Sequence, residues 1–297
     1  MFKNLSPGAV GIRASLPEAL KLAKAADFQG VEISINEVAK LVEERSFEYV
    51  RQLFADYGLR PGGWGLPVDW RGDETVYQEG LRQLPHLAQI GQWLGCPRVS
   101  TWILPYSDER PFKENFNWHV ARFQPIAAIL RDYECQLGLE FVGPKTLRAG
   151  HKYEFIYTMD GMLKLCEAIG TGNVGLLLDC WHWYTSHGTL NDLRRLASTQ
   201  VVYVHVNDAP AGIPIDEQVD SVRCLPGETG VIDLVGFLKC LKEIGYDGPV
   251  TPEPFSQKVL KMGTLQAVKV TGEALNRVWH AAGFGNPLSG ERRGEKT

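Results

Sequence analysis

The sequence lacks the features that mark several large classes of protein. Its six cysteines are scattered singly with no Cys-x-x-Cys pair, so a disulfide framework is not expected and reduced thiols are. No apolar run approaches the length of a membrane span, and the first residues lack the apolar core of a signal peptide. We therefore expect a cytoplasmic protein with no membrane partner.

A surplus of one charge and a nucleotide-binding motif are also missing. The 31 basic and 35 acidic residues give a net charge of −4 without long runs, so no surface for nonspecific nucleic-acid binding is predicted. No Gly-x-Gly-x-x-Gly or Walker sequence opens a helix, and no nucleotide cofactor is expected. The expected partner is a neutral or weakly charged small molecule. Pairing into a homo-oligomer stays open, because no pattern assigns such a surface.

Short apolar runs alternate with segments of helical period along the chain, which is the pattern of a parallel sheet crossed over by helices. We predict strands at residues 10–13, 30–35, 60–66, 98–103, 137–142, 174–179, 201–207 and 249–255. We predict helices at residues 16–26, 38–57, 74–94, 115–133, 155–169, 190–197, 234–244 and 265–281. Eight such units favour an α/β fold in the form of a single (β/α)8 TIM barrel. The barrel is assigned to residues 1–284, and residues 285–297 to a flexible C-terminal tail.

Four metal-capable side chains each stand at the carboxyl end of a separate apolar run: Glu140, Asp179, His205 and Glu253. Because the strands of a barrel end at a common mouth, we expect these side chains to converge. Removing a carboxylate from water costs on the order of several kcal/mol unless it is compensated, and one shared cation would compensate all of them. Three carboxylates and one imidazole suit Mn²⁺, Mg²⁺ or Co²⁺ and tolerate Zn²⁺. The alternative is that they pair with arginines or cap helices.

A divalent cation held in this way suits proton transfer next to a carbonyl group. It can bind two adjacent oxygens of a hydroxy-ketone and stabilise the enediolate formed when the neighbouring carbon loses its proton. Two carboxylates on opposite sides of the bound carbons would let one remove a proton and the other return it. We predict Glu140 and Glu253 as this catalytic pair.

Four further residues are predicted to contact the substrate. His182 follows Asp179 by three residues and Arg223 lies in a long connection, and both are expected to bind substrate oxygens. The alternatives are a helix cap or surface position for His182 and an ordinary ion pair of Arg223 with Glu228 or Asp220. Trp64 and Trp102 stand near strand ends, where a flat apolar face suits a sugar ring, and the alternative for each is the core.

Five segments together resemble the xylose isomerase-like TIM barrels, and among these the inosose (keto-inositol) isomerases in particular. They are residues 138–143 (GLEFVG), 173–179 (NVGLLLD), 204–208 (VHVND), 225–228 (LPGE) and 253–255 (EPF). The resemblance implies a metal held by Glu140, Asp179, His205 and Glu253, with the two glutamates also acting as acid and base. It further implies that His182 and Arg223 contact substrate. We therefore predict a divalent-metal-dependent isomerase or epimerase of a keto-sugar or keto-inositol that works through a metal-bound enediolate.

Three other functions are consistent with parts of this pattern. A lyase or dehydratase would begin with the same proton removal and then expel a β-hydroxyl group. An abasic-site endonuclease shares the barrel, but the single His205 and the acidic balance disfavour it. A non-catalytic sugar-binding barrel would keep the tryptophans without needing an acid–base pair.

Overall fold

Eight parallel strands close into a barrel in the computed structural model, which describes residues 1–285. Each strand pairs with its neighbours in the chain, and the first pairs with the last. The strands are β1 (Phe2–Leu5), β2 (Gly30–Ile33), β3 (Arg60–Gly65), β4 (Arg98–Ile103), β5 (Gln136–Phe141), β6 (Val174–Asp179), β7 (Val201–Val206) and β8 (Pro249–Pro252). The predicted (β/α)8 barrel is therefore confirmed.

Helices surround the barrel and cover it with their apolar faces. They are α1 (Leu16–Ala25), α2 (Ile35–Glu44), α3 (Phe47–Tyr57), α4 (Glu74–Trp93), α5 (Phe112–Asp132), α6 (Lys145–Arg148), α7 (Met159–Ile169), α8 (Cys180–Thr185), α9 (Leu190–Arg194), α10 (Leu234–Glu243), α11 (Gln257–Leu260) and α12 (Thr264–Ala281). The core lies between these helices and the strands. Among the described residues, no helix combines the length and apolar character that a membrane crossing requires.

Strand register brings the predicted site residues to the same height in the barrel. On β4 and β5, Trp102 lies opposite Glu140, and on β6 and β7, Asp179 lies opposite His205. Glu253 directly follows β8, and its backbone N–H donates to the carbonyl of Val206 at the end of β7. Because opposed residues of parallel strands share one face of the sheet, these side chains project toward the same mouth.

The first strand is not where the sequence pattern placed it. The prediction of a strand at residues 10–13 is wrong, because β1 is Phe2–Leu5 and residues Gly8–Val10 form a short 3₁₀ turn. All four residues of β1 are buried, including Lys3 and Asn4. Two polar residues inside a buried strand break the apolar pattern on which the prediction depended.

The helix predicted at residues 38–57 is two helices, Ile35–Glu44 and Phe47–Tyr57. Ser46 separates them, because its side chain caps the second helix by accepting a hydrogen bond from the Tyr49 backbone N–H. A serine inside an amphipathic pattern therefore marked a helix start that the periodicity alone did not show.

The helix predicted at residues 155–169 begins later, at Met159. Thr158 caps it by accepting a hydrogen bond from the backbone N–H of Gly161. Helices α6, α8 and α11 were not predicted at all, because elements of four to six residues are too short to show a period. The predicted tail lies outside the described residues apart from Gly285, and its boundary at residue 284 stays a prediction.

His119 on helix α5 is buried in a cluster of aromatic rings. The ring of His119 lies 5.3 Å from that of Trp70, 5.0 Å from that of Trp118 and 4.7 Å from that of Phe155. Burial lowers the pKa of His119 from 6.5 to about 4, and the positive charges of Arg71 and Arg110 act in the same direction. The ring is therefore neutral at pH 7.

This histidine gives the fold an acid-sensitive component of stability. Below pH 6.5 the unfolded chain takes up a proton that folded His119 does not bind until about pH 4. The free energy of unfolding should therefore fall across that interval by about 3 kcal/mol, and then level off. Urea unfolding of the wild type and of His119→Gln between pH 7 and pH 4 tests this. The two pH profiles should differ by that amount, and parallel profiles would contradict the prediction.

Candidate metal centre

The barrel brings the four predicted metal ligands together at its carboxyl mouth. Glu140, Asp179, His205 and Glu253 each offer a ligand atom, and these atoms all lie within 4.8 Å of one another. The first three residues are buried and Glu253 is partly exposed. The predicted convergence is confirmed, and the cluster has the size and donor set to hold a divalent cation.

Two atoms of this cluster show that its polar groups do not satisfy one another. Glu140 Oε1 and His205 Nδ1 are buried and make no hydrogen bond, although they lie only 3.5 Å apart. His205 Nδ1 is also 3.5 Å from Glu253 Oε2. Buried polar atoms without partners are costly, and a cation shared among them would remove that cost. The residues present therefore fit a divalent metal.

The two glutamates of the cluster titrate in opposite directions. Burial raises the pKa of Glu140 to about 8, and the negative charges of Glu253 and Asp179 add to that increase. Burial opposes ionisation of Glu253 as well, but the positive charges of His205 and Arg223 lower its pKa to about 2. Although desolvation opposes it, the carboxylates of Glu253 and Glu140 raise the pKa of His205 well above 6.5. Protons on Glu140 and His205 thus compensate part of the negative charge.

We expect metal binding to expel these protons, because a ligating carboxylate and imidazole must be deprotonated. Titration of EDTA-treated protein with Mn²⁺ or Zn²⁺ in two buffers of different ionisation enthalpy would measure the release directly. Affinity should fall as the pH is lowered from 8 to 6, and the metal should raise the midpoint of thermal unfolding. Asp179→Asn should weaken binding at least about tenfold. Saturable binding without proton release would contradict this prediction.

Asp179 has a structural role beside its predicted one. Its Oδ1 accepts hydrogen bonds from the Trp181 backbone N–H at 2.8 Å, which caps α8, and from Asn207 Nδ2 at 3.0 Å. Its Oδ2 accepts from Arg223 Nη1 at 2.7 Å. The carboxylate is therefore held rigidly with one oxygen toward α8 and the other toward the site, and the alternative prediction of a helix cap holds alongside convergence.

Arg223 lies inside the site, where it bridges two of the candidate ligands. Its Nη1 donates to Asp179 Oδ2 at 2.7 Å and to Glu253 Oε2 at 2.9 Å, and its Nη2 donates to Asp220 Oδ1 at 2.9 Å. The side chain is almost fully buried, and the ring of Phe255 covers the guanidinium at 4.5 Å. The prediction placed Arg223 at the site, and the structure brings it there through buried ion pairs.

A backbone pairing fixes the long loop that carries Arg223. Asp208 and Cys224 form a two-residue antiparallel bridge. The buried Asp208 carboxylate also accepts hydrogen bonds from four backbone N–H groups, those of Ala209, Thr229, Gly230 and Ile232. The loop is therefore anchored at both ends near Arg223, which holds the guanidinium in place.

His182 also points into the site, where N–H donors approach both of its ring nitrogens. The backbone N–H of Gly143 lies 3.3 Å from Nδ1, and Arg223 Nη2 lies 3.4 Å from Nε2. A neutral ring accepts only one of these hydrogen bonds, and its other nitrogen carries the proton. Burial lowers the pKa of His182 to about 3, and the ring is neutral at pH 7. Its Nε2 lies 3.9 Å from Glu140 Oε1. The imidazole of His182 and the guanidinium of Arg223 therefore lie side by side in the site.

The two tryptophans predicted at the site have different positions. Trp102 lies at the mouth beside Glu140, with 46% of its surface exposed, and its ring stacks on the guanidinium of Arg71 at 4.2 Å. Trp64 is only 1% exposed, and its indole N–H donates to the carbonyl of Cys96 at 2.9 Å. The structure brings Trp102 to the site and does not bring Trp64 there, because Trp64 faces the helix layer.

Further residues shape the site beyond those predicted as ligands or substrate contacts. Asp220, the alternative ion-pair partner of Arg223, and Phe255 hold Arg223 on two sides. Phe255 has a strained backbone with φ of 35° directly after the Glu253-Pro254 pair. Beneath His205, the Tyr203 ring packs edge-on at 5.4 Å, and its hydroxyl donates to Glu32 Oε2 at 2.8 Å. Position after a strand end was the available signal for Phe255, and the alternative ion pair between Arg223 and Asp220 is present in the structure.

Fold and site together define the chain as a (β/α)8 barrel with its polar cluster at the carboxyl mouth, where the active sites of such barrels lie. The family model described as xylose isomerase-like TIM barrel matches residues 20–278. The chain belongs to the family of xylose isomerase-like TIM barrels.

Curated relatives agree with this assignment. An inosose isomerase from Halalkalibacterium halodurans is 23% identical over 259 residues, which cover 86% of this chain and 88% of that protein. A 3-dehydroshikimate dehydratase from Pseudomonas aeruginosa is 28% identical over 253 residues, which cover 83% of this chain but 37% of that longer protein. Both names are those of enzymes, and the prediction that this chain is an enzyme is confirmed.

Solved structures show the same fold. A xylose isomerase domain protein from Alicyclobacillus acidocaldarius superposes with a TM-score of 0.85 and 31% identity, covering 95% of this chain and 99% of that one. The IOLI protein, solved with a zinc atom, superposes with a TM-score of 0.77 at 20% identity, covering 97% of this chain and all of that one.

Proposed function

We propose that the chain is a divalent-metal-dependent isomerase or epimerase of a keto-sugar or keto-inositol. The observation that carries the proposal is the cluster itself: three carboxylates and one imidazole within 4.8 Å, with two buried polar atoms left unpaired. The inosose isomerase and the zinc-containing IOLI structure support the substrate class and the metal. A bound divalent cation would polarise the carbonyl of the substrate and acidify the neighbouring C–H bond.

Glu253 and Glu140 are the proposed base and acid. In the metal-free site Glu253 is ionised at pH 7 because His205 and Arg223 lower its pKa, whereas burial keeps a proton on Glu140. Two neighbouring carboxyl groups whose environments move their pKa values apart are the arrangement that acid–base catalysis requires. In the proposed reaction Glu253 removes the proton next to the carbonyl. Glu140, which a bound metal would leave deprotonated, takes up a proton from solvent and delivers it to the enediolate that results.

His182 and Arg223 are proposed to hold one substrate oxygen between them. His182 Nε2 and Arg223 Nη2 lie 3.4 Å apart, and Nη2 also donates to Asp220 Oδ1 at 2.9 Å. A substrate oxygen that becomes negative in the transition state would accept from the guanidinium and, when the His182 proton is on Nε2, from His182 as well. This is the preorganised electrostatic stabilisation that favours enolate formation. Trp102 would offer its exposed face to the C–H side of the sugar.

A dehydratase is the second candidate, because the 3-dehydroshikimate dehydratase is similar over 83% of the chain. It would use the same first proton removal by Glu253, followed by loss of a β-hydroxyl group that Glu140 protonates. Incubation of the metal-loaded protein with a panel of keto-inositols, ketohexoses and 3-keto-glucosides in D₂O tests both candidates. Deuterium incorporation with an isomeric product supports the isomerase, an unsaturated product supports the dehydratase, and absence of exchange across the panel would contradict both.

A further inference from the structure

A cavity lies on the loops that follow β3 and β4, at the same end of the barrel as the candidate metal centre. Its volume is about 360 Å³, and it is lined by Trp70, Arg71, Tyr106, Asn115, Trp118 and His119, among others. That volume lies at the small end of the range of about 300–1,000 Å³ that small-molecule pockets occupy. The cavity therefore suits one ring-sized group rather than a large ligand.

Two almost fully buried side chains, His119 and Asn115, line this cavity with polar atoms that bind no described residue. His119 is 4% exposed, and its Nδ1 lies 2.7 Å from the carbonyl of Asn115, so Nδ1 carries the proton. The remaining atom, Nε2, is a hydrogen-bond acceptor that no described residue satisfies. Asn115 is also 4% exposed, lines the same cavity, and its amide makes no hydrogen bond to a described residue. These polar atoms open onto the cavity and are held by side chains that are otherwise buried, so a ligand in the cavity can bind them.

Arg71 supplies donors on the wall between the cavity and the metal centre. Its guanidinium is held between the rings of Trp70, at 4.0 Å, and Trp102, at 4.2 Å, and one N–H donates to the Trp102 carbonyl. It forms no salt bridge within residues 1–285, so its other N–H groups are available. Trp102 lies opposite Glu140 in the strand register. Arg71, which lines the cavity, stacks on Trp102, so Trp102 links the cavity to the candidate metal centre.

The charges around the cavity favour an uncharged ligand. Arg71 and Arg110 are balanced by Asp108 and Glu109, which line the same space. Asp108 already accepts hydrogen bonds from His151 and from a backbone N–H, and Arg110 pairs with Glu109. The groups left for a ligand are therefore the N–H donors of Arg71, the acceptor Nε2 of His119 and the Asn115 amide, which both donates and accepts. The aromatic faces of the lining are available as well. A pyranose ring offers hydroxyl groups that donate and accept and a C–H face for stacking.

We propose that this cavity is a subsite for a second sugar ring, so that the substrate is a glycoside or disaccharide whose keto-ring lies at the metal centre. The proposal rests on the proposed function for the position of the keto-ring, whereas the cavity and its unpaired groups stand independently of it. In the bound state Arg71, Asn115 and His119 hydrogen-bond hydroxyls of the second ring, and Trp118 packs against it.

Binding of two unreactive probes tests the subsite without any turnover. By calorimetry, methyl β-cellobioside should bind the metal-loaded protein at least about tenfold more tightly than methyl β-glucopyranoside. Arg71→Met and Asn115→Leu should each weaken cellobioside binding by about five- to tenfold, since each removes hydrogen bonds to the second ring. Trp93→Leu, an exposed tryptophan at the end of α4, is the matched control and should leave both affinities unchanged. Arg71 lies at the surface, so its variant should fold even if Asn115→Leu does not.

Equal affinities for the two probes, or cellobioside binding that neither cavity variant weakens, would overturn the subsite. The same variants can be examined in D₂O with a 3-keto-glucoside and the corresponding keto-disaccharide. In Arg71→Met, the kcat/KM ratio of disaccharide to monoglucoside should fall about five- to tenfold. Tight cellobioside binding with no exchange into either keto-sugar would support the subsite and overturn the proposed reaction. Exchange into both keto-sugars at equal efficiency would support the proposed reaction and overturn the subsite.

Discussion

Glu253→Gln should lower the rate of solvent-deuterium exchange into a keto-sugar by about 10²- to 10⁴-fold, the contribution typical of a positioned general base. Glutamine keeps the shape of the side chain but cannot accept the proton. The loss should appear in kcat, because the carboxylate acts on the reacting carbon. Glu140→Gln should stop product formation to a similar degree while exchange of the proton facing Glu253 stays measurable. That contrast would assign base and acid separately.

Metal content must be measured in the same samples, because both glutamates are also candidate ligands. An exchange rate that recovers when Glu253→Gln is saturated with Mn²⁺ would show that the carboxylate serves as a ligand and not as the base, and would contradict the assignment. Glu243→Gln is the matched control. This exposed glutamate on α10 pairs with Arg194, which is not a residue of the cluster. Its exchange rate should equal that of the wild type.

The convergence of the four candidate ligands was predictable because it follows from topology. In a parallel barrel every strand ends at the same mouth, so a polar residue that ends an apolar run is placed there whatever the details of packing. Asp179 and His205 even share one register level. The polar strand β1 was not predictable in this way, because Lys3 and Asn4 are buried for reasons that involve distant partners. Asn4, for example, donates to the Tyr203 hydroxyl.

The orientation of Trp64 shows what sequence pattern does not determine. The register between β2 and β3 shifts by a residue, and consecutive glycines, Gly62 and Gly63, both lie against interior side chains. Such an irregularity breaks the alternation of faces, so counting by twos from a strand end assigns the wrong face. Trp102 lies on a regular strand, and its position at the mouth followed from the sequence.

Arg223 makes more contacts in the site than the sequence predicted. The sequence placed it in a loop with an ion pair or a substrate contact as alternatives, and only the folded loop shows that one guanidinium serves Asp179, Glu253 and Asp220 together. Its nearest candidate partner in the cluster is 30 residues away in the chain. Contacts of that separation depend on the loop anchored by Asp208, which no local pattern reveals.

Arg223→Met should lower the free energy of unfolding of EDTA-treated protein by about 3–5 kcal/mol, because it leaves buried carboxylates without their cation. Methionine keeps the apolar length of the side chain, so little of the loss should come from packing. Urea unfolding measures it. Arg82→Met is the matched control, since its pair with Glu79 is exposed and should contribute less than about 1 kcal/mol.

A divalent metal should restore part of the stability lost in Arg223→Met, because it supplies positive charge to the same oxygens of Asp179 and Glu253. The metal-induced gain in unfolding free energy should therefore be larger in the variant than in the wild type. A gain of equal size in both would mean that arginine and metal act on separate groups. A loss below about 1 kcal/mol in EDTA-treated Arg223→Met would mean that the protons already on Glu140 and His205 neutralise the cluster sufficiently, and that Arg223 serves the substrate alone.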